Sequence, residues 1–370
     1  MPVVSIDGLN VIAVQGALGI GISRANLAKA VARRGWIGTV SSAALDYLHW
    51  KEGGIKVGVR EATKREIAEA KSDNKFIAIN CMVAILRSYK ESIWGALDAR
   101  VDAIVSGGGL PLALPKIVVE YEKEYGLEYQ PALIPIVSSV RALELISKRW
   151  KRQPDGVILE GPMAGGHRGF SYKQLEERKA EGYKGQYELE NLFPAVKKFS
   201  QANGDFPVIV AGGIFSHEDI VEWVKNRGAD GVQLGSRFVV THESRATKEF
   251  KEAIVNSKKG DVIISEKPGS PCGLPFGLLK FCPGLKQARE KTYQLRCTKG
   301  FVSRKDEQGN YTVCSAKDGY DTYCICNGLL AAIGMDSDGV NPFYTLGDRG
   351  PEITEIVSVD ELIDELMGIK

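Results

Sequence analysis

The sequence Val157-Ile-Leu-Glu-Gly-Pro-Met-Ala-Gly-Gly-His167-Arg-Gly-Phe170 joins a short apolar run to a histidine that lies among glycines. The apolar run predicts a buried strand over 157–159, and the glycines after it allow a sharp turn and a close approach to a ligand. A histidine held at the end of a strand can act as a general base or contact a bound ring. The alternative is an ordinary loop histidine in a glycine-rich turn.

The same order of strand, glycine-rich loop and helix recurs along the chain. Strands are predicted at 11–14, 35–40, 76–79, 101–106, 132–137, 157–159, 207–211 and 231–234. Helices are predicted at 61–71, 89–99, 140–148, 190–201 and 218–227, with a further one that Ser23 caps and that runs to about residue 33. About eight strand–helix units over roughly 240 residues match a (β/α)8 TIM barrel, an α/β fold. A doubly wound sheet would concentrate its binding loops at one switch point, whereas here they follow many strands.

Composition excludes several classes of function. The chain has 370 residues, of which 44% are hydrophobic and 25% charged, and its net charge is only +2. Nucleic acid and membrane surfaces are therefore not expected partners. The N-terminus has no secretory signal pattern, and no apolar run reaches the ~18 residues that would span a bilayer. We expect a cytoplasmic protein.

Glycine-rich loops after the first and the last two barrel strands predict a ligand site. In TIM barrels, backbone N–H groups after the last two strands often bind a phosphate, which favours Gly212, Gly213, Gly235 and Ser236 as its contacts. The loop over 15–21 lacks the G-x-G-x-x-G spacing of a dinucleotide fold. It fits a row of backbone amides against a flat flavin ring, with the side-chain amide of Asn80 beside it.

These motifs resemble one family. The segments 15–19, 80, 107–111, 160–167, 211–214 and 231–238 are similar to the nitronate monooxygenases, formerly called 2-nitropropane dioxygenases, and to the related flavin-dependent enoyl-acyl-carrier-protein reductase II enzymes. The tail over 355–366 is similar to bacterial members. One departure is Ala17-Leu18, where nitronate monooxygenases usually have Pro-Met.

The resemblance implies FMN as the cofactor and places each predicted contact. The flavin ring would lie against the loop of Gln15, Gly16, Ala17 and Leu18, with Asn80, Glu160, Ala164, Gly165 and Gly166 as further contacts. The phosphate would bind at Gly212, Gly213, Gly235 and Ser236. His167 would face the substrate as the catalytic residue.

Three functions fit this site. The first is a nitronate monooxygenase that oxidises nitronates or nitroalkanes with O₂. The second is a reductase that takes hydride from NAD(P)H as co-substrate and delivers it to an enoyl thioester or another activated alkene. The third is a flavin-binding redox sensor without turnover. The expected partner is a small-molecule substrate, and a homodimer is left open.

The C-terminal part is the least regular. We assign residues 1–250 to an FMN-binding barrel and 251–370 to an extension that packs on it as a cap and ends in a docking helix at 360–367. Six of the seven cysteines lie in the extension, at 272, 282, 297, 314, 324 and 326. Their spacing favours scattered thiols and no metal site, with a metal or cluster and disulfides as alternatives. The charged stretch over 173–184 is a solvated loop or a lid.

Overall fold

The computed structural model describes residues 1–291, 299–301, 308, 314, 316 and 321–369. Its strands are β1 (Val4–Ile6), β2 (Leu9–Gln15), β3 (Gly38–Ser41), β4 (Ile77–Met82), β5 (Ala103–Gly107), β6 (Ala132–Val137), β7 (Val157–Glu160), β8 (Gly166–His167), β9 (Val208–Ala211), β10 (Gly231–Leu234), β11 (Val262–Ile264) and β12 (Phe276–Leu279).

Helices lie at the places where the sequence predicts them, and further helices that it does not predict lie between these. They are α1 (Ala25–Arg33), α2 (Leu45–Gly53), α3 (Val59–Ala70), α4 (Tyr89–Asp98), α5 (Leu114–Tyr125), α6 (Val140–Trp150), α7 (Tyr172–Ala180), α8 (Leu189–Ala202), α9 (His217–Val221), α10 (Ser236–Val239), α11 (Lys248–Val255), α12 (Pro283–Glu290), α13 (Ile325–Ala331) and α14 (Val359–Leu366). A π-helical turn at Glu222–Asn226 continues α9, and short 3₁₀ turns lie at Lys71–Asp73 and Gly350–Glu352.

The parallel strands form a closed TIM barrel. Their order is β2-β10-β9-β7-β6-β5-β4-β3, with parallel pairing throughout. The ring closes where Val14 bridges Ile37 in parallel, and the Gln15 N–H donates to the Ile37 carbonyl at 3.0 Å. The barrel prediction is therefore confirmed. Strand β1 adds an antiparallel hairpin to β2.

Two apolar layers stabilise the barrel. The inward side chains form a small buried cluster that includes Val14, Ile37, Val105, Ile158 and Ile209. The opposite faces of the strands pack against the helices in a much larger cluster. This alternation is expected for strands whose side chains point in turn to the interior and to the helix layer.

The start of α1 differs from the prediction. Ser23 is fully buried and does not cap the helix, because its hydroxyl accepts hydrogen bonds from the Gln15 side chain and the Leu18 N–H, both at 2.9 Å. Glu66 of α3 takes that task and accepts from the Ala25 N–H at 2.6 Å. A cap from a distant helix has no local sequence signal. The prediction that the nearby Ser23 caps α1 is therefore wrong.

The C-terminal residues build a second sheet that includes the histidine loop. Strands β11, β12 and β8 pair antiparallel, with Phe276 opposite His167. The division at residue 250 stays a prediction, although the extension shares this sheet with the barrel loop. The predicted docking helix is present as α14, and Arg34, which directly follows α1, forms ion pairs with Asp360 and Asp364.

The charged stretch after the histidine loop is helical. Helix α7 begins with a capping box in which Ser171 and Gln174 exchange hydrogen bonds. Its Arg178 is buried and pairs with Glu188 at 2.6 Å. This segment is thus an ordered helix and not the solvated loop of one prediction, and none of its residues lines the cavity described below.

Two of the predictions concern metals and membranes. Within the described ranges, His, Cys, Asp and Glu side chains form no group of three that could hold a metal ion. Cys297 lies outside the described residues, and the thiol interpretation of the cysteines stays a prediction. No helix in the described part of the chain has both the length and the apolar character needed to cross a bilayer.

Candidate active site

A cavity of about 280 Å³ opens at the carboxyl ends of the barrel strands. This is the end at which TIM-barrel active sites lie, because the loops after every strand converge there. All predicted site residues except Gln15 line it: Gly16, Ala17, Leu18, Asn80, Glu160, Ala164, Gly165, Gly166, His167, Gly212, Gly213, Gly235 and Ser236. The structure thus brings together residues from five separate strand ends.

Gln15 supports the first loop from behind. Its side chain is fully buried, donates to the Ser23 hydroxyl at 2.9 Å and accepts from the Thr39 N–H at 2.9 Å. These contacts use both ends of the amide inside the protein. Gln15 therefore holds the loop that carries Gly16 in place and does not itself reach the cavity.

Three polar side chains point into the cavity from different strand ends. Asn80 lies on β4, Glu160 ends β7 and Gln233 lies on β10, and all three line the cavity. None of these side chains makes a hydrogen bond within the described part of the protein. Two amides and a carboxyl without partners form a donor and acceptor set that suits the polar edge of a ligand.

Glu160 is affected by its burial. Desolvation raises the pKa of its carboxyl from the ordinary 4.5 to about 7, against the opposing charge of Arg168. Arg168 has its own partner, since it forms an ion pair with Asp348 and also donates to the Pro162 carbonyl at 2.6 Å. Near neutral pH, the carboxyl of Glu160 can therefore be either a donor or an acceptor.

Glu160→Gln is expected to stabilise the flavin-free protein above pH 7. With its raised pKa, the folded protein binds more protons at Glu160 than the unfolded chain, so Glu160 lowers stability progressively as pH rises from 4.5 to 7. Gln resembles the protonated form of the carboxyl. The free energy of unfolding at pH 8 should therefore rise by on the order of 1–3 kcal/mol, with the lower end favoured because water can enter the cavity. Thermal unfolding at pH 4.5 and pH 8 measures the difference. The exposed Glu355→Gln serves as the control, and a gain for Glu160→Gln that is equal at both pH values would contradict the account.

His167 is held by residues that are distant in the sequence. Its backbone pairs with Phe276, and the two rings pack edge to face with centroids 4.8 Å apart. The Nε2 atom lies 3.4 Å from the Ser270 hydroxyl, which in turn lies 3.0 Å from the Cys272 sulfur. Cys272 also lines the cavity. The histidine is thus fixed in orientation at the cavity wall.

The glycine-rich end of the cavity is closed by the C-terminal segment. The Ser236 hydroxyl accepts from the Gly347 N–H at 3.0 Å, which leaves its own O–H to donate elsewhere. Arg349 donates to the Gly213 carbonyl at 3.0 Å and pairs with Asp219 at 2.5 Å. These contacts hold the two predicted phosphate loops together.

Gly235 faces open space. A Cβ atom at this position would have only a Leu18 methyl within 4 Å, at 3.6 Å. A side chain there would therefore extend into the cavity. Gly213 differs, since its φ is +108° and an added Cβ would lie 2.3 Å from the Met163 methyl.

Several residues of the site were not predicted from the sequence. They are Gln233, Ser270, Cys272, Phe276, Gly347 and Arg349. Gln233 could have been found, because it lies on a predicted strand two residues before Gly235 of the predicted phosphate loop. Phe276 begins β12 and the others lie in irregular segments. They approach the barrel through long-range contacts such as the pairing of β12 with β8, and no local pattern encodes that pairing.

The chain is similar in sequence to a known protein over part of its length. A probable nitronate monooxygenase from Staphylococcus aureus is 27% identical over 135 residues, which cover 36% of this chain and 35% of that protein. The match thus spans about a third of the length of that relative.

Solved structures resemble the chain over nearly its whole length. FabK from Thermotoga maritima has a TM-score of 0.65 at 21% identity and covers 97% of this chain and 92% of its own. Nitroalkane oxidase from Streptomyces ansochromogenes has a TM-score of 0.63 at 18% identity, and the match covers 97% of this chain and 95% of that protein. At identities this low, the structural similarity shows a shared fold and nothing further. A family model described as nitronate monooxygenase matches residues 2–368, almost the entire chain. The chain therefore belongs to the nitronate monooxygenase family.

Proposed function

We propose that this oxidoreductase is an FMN-dependent nitronate monooxygenase that oxidises nitronates or nitroalkanes with O₂. The observation that carries the proposal is the cavity itself. It combines glycine-rich loops, three polar side chains that have no hydrogen-bond partner among the described residues, and a fixed histidine at the active end of a barrel.

The residues present suit FMN. Asn80, Glu160 and Gln233 offer donors and acceptors for the polar edge of a flavin ring, and Gly16 packs its backbone against Gln233 so closely that an added Cβ would lie 3.3 Å from that side chain. The open space beside Gly235 and the O–H of Ser236 suit a phosphate. When bound, FMN supplies the redox chemistry, since it accepts electrons from the substrate and passes them to O₂.

His167 supplies the proton chemistry. Its imidazole can remove the proton from the carbon that bears the nitro group, or stabilise the nitronate anion that results. Phe276 and Ser270 fix the ring, so that little reorientation is needed when the substrate arrives. Apolar side chains of the cavity wall, including Phe301, Ile325 and Leu329, limit the access of water and suit a small apolar substituent on the substrate.

A spectroscopic experiment tests the proposal against the reductase alternative. The purified protein is made anaerobic and mixed in separate samples with a nitronate, NADH and NADPH. We expect the nitronate to bleach the flavin absorbance and O₂ to restore it. Bleaching by NADH or NADPH alone, followed by recovery on addition of an enoyl thioester, would contradict the proposal and identify a reductase. NAD(P)H as co-substrate and the homodimer stay predictions.

A further inference from the structure

One reactive group in the cavity has no part in the proposed function. Cys272 lines the cavity with its thiol half-buried, beside His167 and Ser270. Cys81 and Cys282 differ, because both are fully buried in the apolar core, whereas Cys326 also lines the cavity.

The segment that carries Cys272 is anchored on both sides. The Arg168 N–H donates to the Pro275 carbonyl at 2.9 Å, and Gly269 exchanges backbone hydrogen bonds of 2.9 Å with the segment over 321–323. The Ser265 hydroxyl also donates to the Pro268 carbonyl at 2.7 Å. Cys272 is therefore held against His167 by the fold itself.

The partners of Cys272 favour its thiolate form. Burial raises the pKa of the thiol, but the hydrogen bond and charge of His167 and hydrogen bonds from Ser270 and the Leu274 backbone outweigh it and lower the pKa from 9.0 to about 7. In contrast, burial raises the pKa of Cys81 to about 12. A thiolate beside a cationic imidazole is the arrangement that makes cysteines nucleophilic.

We propose that Cys272 is a covalent capture site for small α,β-unsaturated carbonyl compounds that enter the cavity, with His167 as the proton carrier. The thiol proton passes to the imidazole. The sulfur then bonds to the β-carbon, the electrons of the C=C bond move to the α-carbon, and the proton from His167 ends on the α-carbon. The S–H bond is thus added across the double bond, and no oxidant or reductant is needed.

The apolar wall of the cavity favours this class of electrophile. Phe276 and Phe301 line it together with Cys272 and suit a small neutral alkene better than a charged one. The adduct would occupy substrate space beside His167. Capture should therefore block turnover while the flavin remains bound.

N-Ethylmaleimide serves as the probe on the purified holoenzyme. Short exposures at pH values from 6 to 9, followed by peptide mass spectrometry, give a rate for each cysteine. At pH 6.5 a thiol whose pKa is about two units lower has up to about a hundredfold more thiolate, and its weaker intrinsic nucleophilicity removes about tenfold of this gain. We expect Cys272 to react roughly tenfold faster than N-acetylcysteine, with a rate that rises around pH 7.

Variants of His167 and Ser270 test whether these two residues cause the fast reaction of Cys272. In His167→Gln and in Ser270→Ala, the pH midpoint at Cys272 should move upward, more in the first because it removes the charge. Ser270→Ala keeps the test valid if His167→Gln folds poorly. Cys272→Ser should lose the adduct at position 272, and the reaction rates of the other cysteines should stay unchanged. A Cys272 rate at or below that of N-acetylcysteine, or a midpoint that stays in place in both variants, would overturn the proposal. Flavin content and nitronate turnover are measured separately. The labelling rate of Cys272 can therefore be interpreted even if the protein does not oxidise nitronates.

Discussion

His167→Ala is expected to keep its flavin and to lose about 10²–10⁴-fold in kcat/KM on a neutral nitroalkane. General-base assistance is worth this range, and no other described residue of the cavity wall is an imidazole. The flavin should remain because the phosphate loops around Gly213 and Gly235 are held by hydrogen bonds to Arg349 and Gly347, which do not involve His167. Steady-state kinetics and the flavin spectrum of the variant measure the two effects.

A preformed nitronate is the matched control for this variant, because it has already lost the proton that His167 would remove. Its oxidation should fall much less than that of the parent nitroalkane. Near wild-type rates on the nitroalkane, or a variant purified without flavin, would show that His167 does not have the proposed role.

Gly235→Leu is expected to weaken FMN binding by roughly 10- to 100-fold. The new side chain would project into the cavity at the predicted phosphate end, and overpacking of this kind costs about 1–3 kcal/mol. Fold and stability should change little, because the backbone of Gly235 has an ordinary negative φ of −114° and only Leu18 lies near the added Cβ. Titration of the flavin-free protein with FMN, followed by fluorescence, gives the affinity.

Gly53→Leu provides the control, since an added Cβ there has nothing within 4 Å and the residue lies outside the cavity. Gly213 is a less clear test. Its positive φ would strain any other residue, so that loss of flavin in a Gly213 variant could come from misfolding. Wild-type affinity for FMN in Gly235→Leu would refute the placement of the phosphate.

The barrel could be predicted because its signals are local. Several apolar runs, such as 132–137 and 207–211, are followed by a turn and a predicted helix, and the structure has strands at both places. Since the carboxyl ends of parallel strands meet at one end of the barrel, residues after different strands could also be placed together. The sequence alone therefore predicts that Asn80 and His167 lie in one cavity, and both line it.

Contacts between distant segments could not be predicted in the same way. The pairing of His167 with Phe276 joins residues more than a hundred positions apart, and it brings Ser270 and Cys272 to the histidine. Glu66 likewise caps a helix from another part of the chain. Gln15 was predicted to contact the ligand because it belongs to the predicted flavin loop. Its side chain instead hydrogen-bonds Ser23 and Thr39, so it holds that loop from behind.

Oxygen uptake by the purified holoenzyme tests the central claim most directly. A preformed nitronate is supplied as the sole substrate, and a parallel sample receives NADPH with an enoyl thioester. The account predicts O₂ consumption and flavin turnover with the nitronate, a lower rate in Gly235→Leu that added FMN restores, and no consumption of NADPH. Consumption of NADPH with the thioester, without O₂ uptake on the nitronate, would contradict it.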